Sequence, residues 1–277
     1  MSIFTVQLRY WRAVHSELMT HRVFSRNASS SRAIPTSKLL DGVRSAPAHP
    51  VKWGLNQKGM QASVENDALV SDPMTGEMLD RETAWDRAAV SAAEWASAFA
   101  DAGYHKEIVN RIIEPFSYIS VLVTATEWGN FFDLRCHDDA QADIHELADL
   151  VRECMRQSSP RHVHEGQLGD ARTWHLPFVT IDERRSFAVP QLLAMSAARC
   201  ARVSYLTHDK QNPTFEQDDA LYRRLVESKP LHASPLEHQA QNSGQNRPSR
   251  NFRGGWIQHR ALLEAAGSID ALEKAFA

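Results

Sequence analysis

Thr20-His21-Arg22-Val23-Phe24-Ser25-Arg26-Asn27-Ala28-Ser29-Ser30-Ser31-Arg32 is the most informative stretch of this chain. Thirteen positions hold three arginines, a histidine, an asparagine and four serines, and no acid at all. Such a segment is rich in donors and suits an anion. Guanidinium forks pair with phosphate oxygens, while serine hydroxyls and backbone N–H groups complete the cradle. Composition alone fits a solvated basic loop equally well.

Around this stretch the sequence reads as mainly helical. Residues 3–9 have the β-rich, partly alternating character of a strand, and a short helix is expected over 11–20, leading into a loop at 25–31. Residues 41–78, rich in Gly, Pro, Asn and Asp, read as a long surface excursion. An alanine-rich helix is predicted over 81–102, closed by Gly103, with further helices over 105–113, 116–130, 139–157, 189–200 and 217–228. Ala201–Leu206 looks like a strand, 158–177 and 239–249 like polar loops, and Trp256 to the end like helix. The expected class is α+β, with mixed helices and a small antiparallel or mixed sheet. We expect one domain over 1–277, in which 1–157 carries the arginine-rich loop and 186–277 a second motif-bearing part.

Bulk properties narrow the function. The 277 residues are 43% hydrophobic, enough for a sizeable core. With 31 basic and 34 acidic residues, the chain is unsuited to holding nucleic acid by bulk charge, so no stable nucleic-acid partner is expected. No apolar run suggests a membrane span and no leader pattern is visible. Cys136, Cys154 and Cys200 are odd in number and far apart, so we expect free thiols in a cytoplasmic protein. His162, His164 and His175 lack the companions of a metal site, and no metal is expected. No glycine-rich dinucleotide fingerprint follows a strand, and no cysteine sits in a nucleophile setting.

The first stretch resembles the signature of the flavin-dependent thymidylate synthases: Arg-His-Arg, two spacers, Ser, a spacer, Asn-Glu, a spacer, Ser, a spacer, Arg. His21, Arg22, Ser25, Asn27, Ser30 and Arg32 match at every spacing, whereas Thr20 replaces the first Arg and Ala28 the Glu. A second cluster is similar to the family's later motif, with Asn130 five residues before Arg135 and then Ala140-Gln141-Ala142-Asp143-Ile144. Arg111, four residues before Pro115, resembles a phosphate-binding Arg of the family. Thr124 stands where an Asn is usual, and Glu17 where a Gln is. A third cluster comprises Ala201-Arg202-Val203-Ser204-Tyr205 and His232-Ala233-Ser234-Pro235-Leu236-Glu237-His238. In the family this cluster precedes the arginine-rich loop, so the order here implies a circular permutation.

The resemblance implies a homotetramer with shared active sites. It implies transfer of a one-carbon unit from methylenetetrahydrofolate to C5 of dUMP, with FAD as cofactor and NADPH as reductant. It places Ser30, Arg32 and Arg111 on the phosphate of a pyrimidine deoxynucleoside monophosphate and Arg135, as the catalytic group, on the ring. It places His21, Arg22, Val23, Asn130, His232, Ser234 and Glu237 on the flavin. Arg32 and Arg135 must then converge on one nucleotide. The shortened side chains at Thr20, Ala28 and Thr124 leave room for water, so a 5-hydroxymethylase for dUMP or dCMP is the alternative. A non-catalytic nucleotide- or RNA-binding module is the rival of another class. Where the family's Gln helps to hold the nucleotide, Glu17 is a poor neighbour for a phosphate, and Gln258 or Arg260 is a candidate to take over that duty.

Overall fold

A computed structural model describes residues 1–203, 213–245 and 249–276. The chain opens with β1 (Phe4–Trp11), a 3-10 turn, α1 (His15–Met19) and β2 (Ser25–Ala28). Next come α2 (Thr36–Ser45), the small hairpin β3 (Val70–Ser71) and β4 (Met78–Leu79), and then α3 (Arg81–Asp101) and α4 (Lys106–Ile112). After them run β5 (Tyr118–Ala125), α5 (Gly129–Arg135) and α6 (Ala142–Gln157). The remainder comprises β6 (Trp174–His175), α7 (Ile181–Ser186), α8 (Val189–Arg202), α9 (Phe215–Glu227), β7 (Ala240–Asn242), β8 (Trp256–Gln258), α10 (His259–Ala266) and α11 (Ile269–Glu273). The class is α+β, as the sequence indicates.

Local chemistry sets several boundaries. Asp80 caps α3 by accepting from the N–H groups of Glu82 and Thr83, and Gly103 beyond its end takes a φ of 84°. Gln141 caps α6 in the same way, accepting from Asp143 and Ile144.

The main sheet is antiparallel in the order β1-β5-β2, with Leu8 opposite Val121 and Asn27 opposite Leu122. The helix predicted over 116–130 is therefore corrected: its first part is the central strand β5. Residues 119 and 121–125 are nearly all sealed because both faces of the strand are covered, which removes the alternation that marks a strand in sequence. The loop expected at 25–31 likewise begins as β2. One face of the sheet packs with α5 and α6 through Leu8, Phe24, Val121, Phe131 and Ile144.

A second antiparallel sheet has the order β6-β7-β8. Its strands fall in stretches read as loop, loop and helix. Each is only two or three residues long and is recruited by pairing rather than by propensity. The strand expected at Ala201–Leu206 is also corrected, since α8 continues through Arg202; residues 204–206 lie outside the described residues. Helices α2, α3 and α4 share one apolar cluster, so the surface excursion expected from residue 41 starts only after Ser45. Helix α8 is the hub of the C-terminal half. It packs on α9, α10 and α11, and buried Asp218 on α9 pairs with Arg199 at 3.0 Å and with Arg202.

Candidate active site

The arginine-rich segment leaves the sheet along a pinned path. Ser29 still pairs with β5: its N–H donates to the Ser120 carbonyl at 2.8 Å, and its hydroxyl accepts from the Ser120 N–H at 3.0 Å. Ala33 N–H then closes a turn on the Ser30 carbonyl at 2.9 Å. Asn110 on α4, fully buried, donates from Nδ2 to the carbonyls of Ser31 at 2.7 Å and Ile34 at 3.1 Å. The outcome is a fixed loop with Ser30 half-buried and Arg32 exposed.

The third motif docks onto this loop from far along the chain. Ser234 opens a 3-10 turn, Ser234–Glu237, and its hydroxyl donates to Asn27 Oδ1 at 3.0 Å. Asn27 Nδ2 donates to the Cys200 carbonyl at 2.7 Å, tying β2 to the end of α8 as well. Gln258, fully buried on β8, donates from Nε2 to Ser25 Oγ at 2.9 Å and to the Glu237 carbonyl at 3.0 Å. Arg260 pairs with the Glu237 carboxylate and with Glu264. Gln258 and Arg260 are thus engaged within the chain, and their expected role as replacement nucleotide ligands is corrected. They hold one motif against the other.

Between the two motifs lies an open cavity of about 510 Å³, lined among others by Asn27, Ser30, Arg32, His232, Ser234 and Glu107. It brings residues 27–32 together with residues 232–235, although Asn27 and Ser234 stand 207 positions apart. Its lining is rich in donors, with one carboxylate at the α4 end, and such a chemistry accepts an anion on the Arg32 side.

Other candidate residues lie elsewhere. Neither Arg111 nor Arg135 lines this cavity. Arg111 is exposed on α4 and donates to Glu114 at 3.0 Å. Arg135, at the end of α5, donates to His21 Nε2 and to Glu17 Oε2, each at 3.0 Å. Within one chain, therefore, the expected convergence of Arg32 and Arg135 on a single cavity is not what the structure shows. His21 is buried against Phe24 and Phe131, and burial together with the Arg135 and Arg26 charges pushes its pKa down to about 4. Arg22 and Asn130 are exposed, and Val23 packs on the main core. Thr124 is sealed, its hydroxyl shared with Thr5 at 2.7 Å and His238 Nδ1 at 2.8 Å, so it faces the interior. Glu237 meets Arg260, as above.

Three contributors are not legible in the sequence. Asn27 is a motif match without an assigned duty there; its opposite-facing amide shows that it joins three segments. Asn110 and Glu107 sit on α4 with no local signal, because the carbonyls that Asn110 holds and the cavity that Glu107 lines are built from residues remote in sequence. Among the described residues no group of three or more His, Cys, Asp or Glu could hold a metal, and no helix is long and apolar enough to cross a membrane.

Comparison with known proteins identifies the family. The model of the thymidylate synthase complementing protein family matches residues 1–161, and the chain belongs to that family, the flavin-dependent thymidylate synthases. The match spans the arginine-rich loop and the Arg135 motif but not the downstream segment. Two solved structures of the UMP/dUMP methylase PolB from Streptomyces cacaoi are similar to part of the chain. The one bound with 5-Br UMP is 18% identical, with a TM-score of 0.37, covering 56% of this chain and 68% of that chain. The one bound with 5-Br dUMP is 19% identical, with a TM-score of 0.40, covering 56% and 67%. Among curated proteins, none matches the chain.

Proposed function

We propose that the chain is a flavin-dependent enzyme that transfers a one-carbon unit to C5 of a pyrimidine deoxynucleoside monophosphate, with dUMP as substrate and methylenetetrahydrofolate and NADPH as co-substrates. The observation that carries the reading is the cavity that joins residues 27–32 to residues 232–235, within a chain of this family.

In this reading Arg32 and Ser30 hold the phosphate. An exposed guanidinium forms a two-toothed pair with phosphate oxygens, and the half-buried Ser30 hydroxyl adds a donor. Glu107, the carboxylate of the lining, repels the phosphate and so directs it to the Arg32 side. His232 offers a donor to a cofactor, and the Ser234 oxygen, its proton given to Asn27, offers an acceptor. The His232 donor fits the phosphates and ring carbonyls of FAD, which when bound supplies the reducing equivalents. Asn27 orients the Ser234 hydroxyl and Asn110 holds the Ser30–Arg32 turn, so the anion meets a site already ordered. The site is completed, in this reading, by further copies in a homotetramer, since the exposed Arg111 stands outside the cavity of its own chain.

The test is incubation of the protein with FAD, NADPH and methylenetetrahydrofolate, offering dUMP and dCMP separately, with mass identification of the product. A gain of a methyl group on dUMP is the expected result. A 5-hydroxymethyl product would replace the methylase reading by the hydroxymethylase one. A colourless protein that turns over neither nucleotide would sink the enzyme reading in favour of a binding module.

A further inference from the structure

The surroundings of Arg135 assign it a duty different from that of a ring-reading guanidinium. Its Nε–H donates to His21 Nε2 at 3.0 Å, and Nη1 donates to Glu17 Oε2 at 3.0 Å. Nη2 donates to the Glu17 carbonyl at 3.3 Å and to Thr20 Oγ1 at 3.1 Å. A guanidinium carries five N–H donors, so four of the five are occupied within the chain. The charge is also paired, and the Arg135 side chain retains 17% exposure.

Two positions at which this sequence departs from the family signature, Glu17 and Thr20, supply through their side chains two of the four acceptors, and the backbone carbonyl of residue 17 supplies a third. Thr20 Oγ1 donates its own proton to the Glu17 carbonyl at 2.7 Å, which leaves its lone pairs for Arg135. An arginine at position 20 would instead set two like charges side by side, and a glutamine at 17 would leave Arg135 without a counter-charge. The two departures are therefore one coupled change, made around Arg135.

We propose that Arg135 is a positioning residue: with Glu17 and Thr20 it fixes His21 as the neutral imidazole protonated at Nδ1, so that this cluster presents a ligand with an uncharged N–H donor in place of a free guanidinium fork. The tautomer follows from chemistry. An arginine N–H can only donate, so His21 Nε2 must accept, and in the neutral ring the proton sits on Nδ1. That nitrogen has no hydrogen-bond partner among the described residues, and the ring plane is set by Phe24 at 5.6 Å and Phe131 at 5.0 Å. The charged groups facing the ring are Arg135 from α5, Arg26 from β2, whose Nη1 donates to the His21 carbonyl at 3.3 Å, and Glu17 from α1 beyond Arg135. The inference rests on the proposed function only in taking the ligand of His21 to be the flavin.

Nitrogen-15 NMR of the full chain, labelled at the histidine rings, tests this without flavin or nucleotide, so failure of the proposed activity leaves the result standing. The His21 signals are identified by their loss in His21→Gln. The expected result is a neutral ring with protonated Nδ1 and a bare, accepting Nε2 from about pH 5 to pH 8. Arg135→Lys keeps the charge but loses the directed Nε–H; it should mix the tautomers, while burial and the retained charge keep the ring neutral. If that variant does not fold, Glu17→Gln, which frees the fork to rotate, should give the same mixing. A wild-type ring protonated at Nε2, or His21 signals unchanged in a folded variant, would overturn the proposal.

Discussion

The hydroxyl of Ser234 donates to Asn27 across 3.0 Å, although the two residues stand 207 positions apart in the chain. This bond joins the arginine-rich strand end to the downstream motif, and the same asparagine reaches Cys200 through its other face. Removing the Asn27 side chain leaves two polar groups without a partner at a buried position. We expect Asn27→Ala to lower stability by about 1–3 kcal/mol and Ser234→Ala by less, because the serine is only half-buried. Urea unfolding of the two variants checks the order; equal losses would show that the bond to Cys200 contributes nothing.

Arg32 should behave in the opposite way. It is exposed and holds no element in place, so Arg32→Ala should leave the melting temperature within a degree or two of wild type. Affinity for dUMP should nevertheless fall by about 1.5–3 kcal/mol, roughly ten- to hundredfold, the range for a hydrogen bond to a charged group. Uridine, without the phosphate, should lose little. Calorimetric titration with both ligands separates a phosphate contact from a general loss of the site.

Gln258 is a structural counterpart. Gln258→Ala removes the donor to the Ser25 hydroxyl and the Glu237 carbonyl in a sealed setting, and should cost about 2 kcal/mol. Gln258→Glu should cost more, since it replaces that donor by a buried negative charge beside a carbonyl. Thermal melts that rank the glutamate variant as the milder of the two would contradict the assigned orientation of the amide.

Asp218 sits between two guanidiniums with no exposure, and Asp218→Asn removes the charge that both were paired with. A loss of about 3–5 kcal/mol is expected, with α8 and α9 loosening together. Hydrogen exchange should locate the change in these helices. An unaltered exchange pattern would mean that apolar packing alone holds them.

Stability should fall on mild acidification. Burial holds His238 and His259 down to about 3, and burial with neighbouring arginines holds His21 down to about 4. All three pKa values are depressed below the unfolded ~6.5, so the unfolded chain takes up protons first as pH drops. Their contribution is fully present above about pH 6.5 and is lost progressively down to about pH 3–4, at up to about 1.4 kcal/mol per pH unit for each histidine. Melting temperatures at pH 7, 6 and 5 should decline, with a shallower decline in His259→Asn. A flat profile over that interval would show that these rings charge without penalty.

How far the sequence alone reaches can be judged from particular residues. Helices α3 and α6 are legible because a capping side chain and an apolar stripe agree within a few residues. Strand β5 is not, since a strand covered on both faces loses its alternation and reads as an apolar helix. The arginine-rich loop announces its chemistry through composition and spacing. What surrounds Arg135 does not, because Glu17, Thr20 and His21 meet it only after more than a hundred residues of intervening chain have folded. Spacing can nominate an arginine; it carries no record of which acceptors already occupy it.

The two-sided origin of the cavity has a consequence for biosynthesis. A ribosome adds about 5–20 residues per second, so the 207 positions that separate Ser234 from Asn27 take roughly 10–40 s to appear. For most of that interval the cationic loop is outside the exit tunnel while its covering segment does not yet exist. The nascent protein passes through a stage at which its arginine-rich segment is bare, beside the nucleic acid of the machine that is making it.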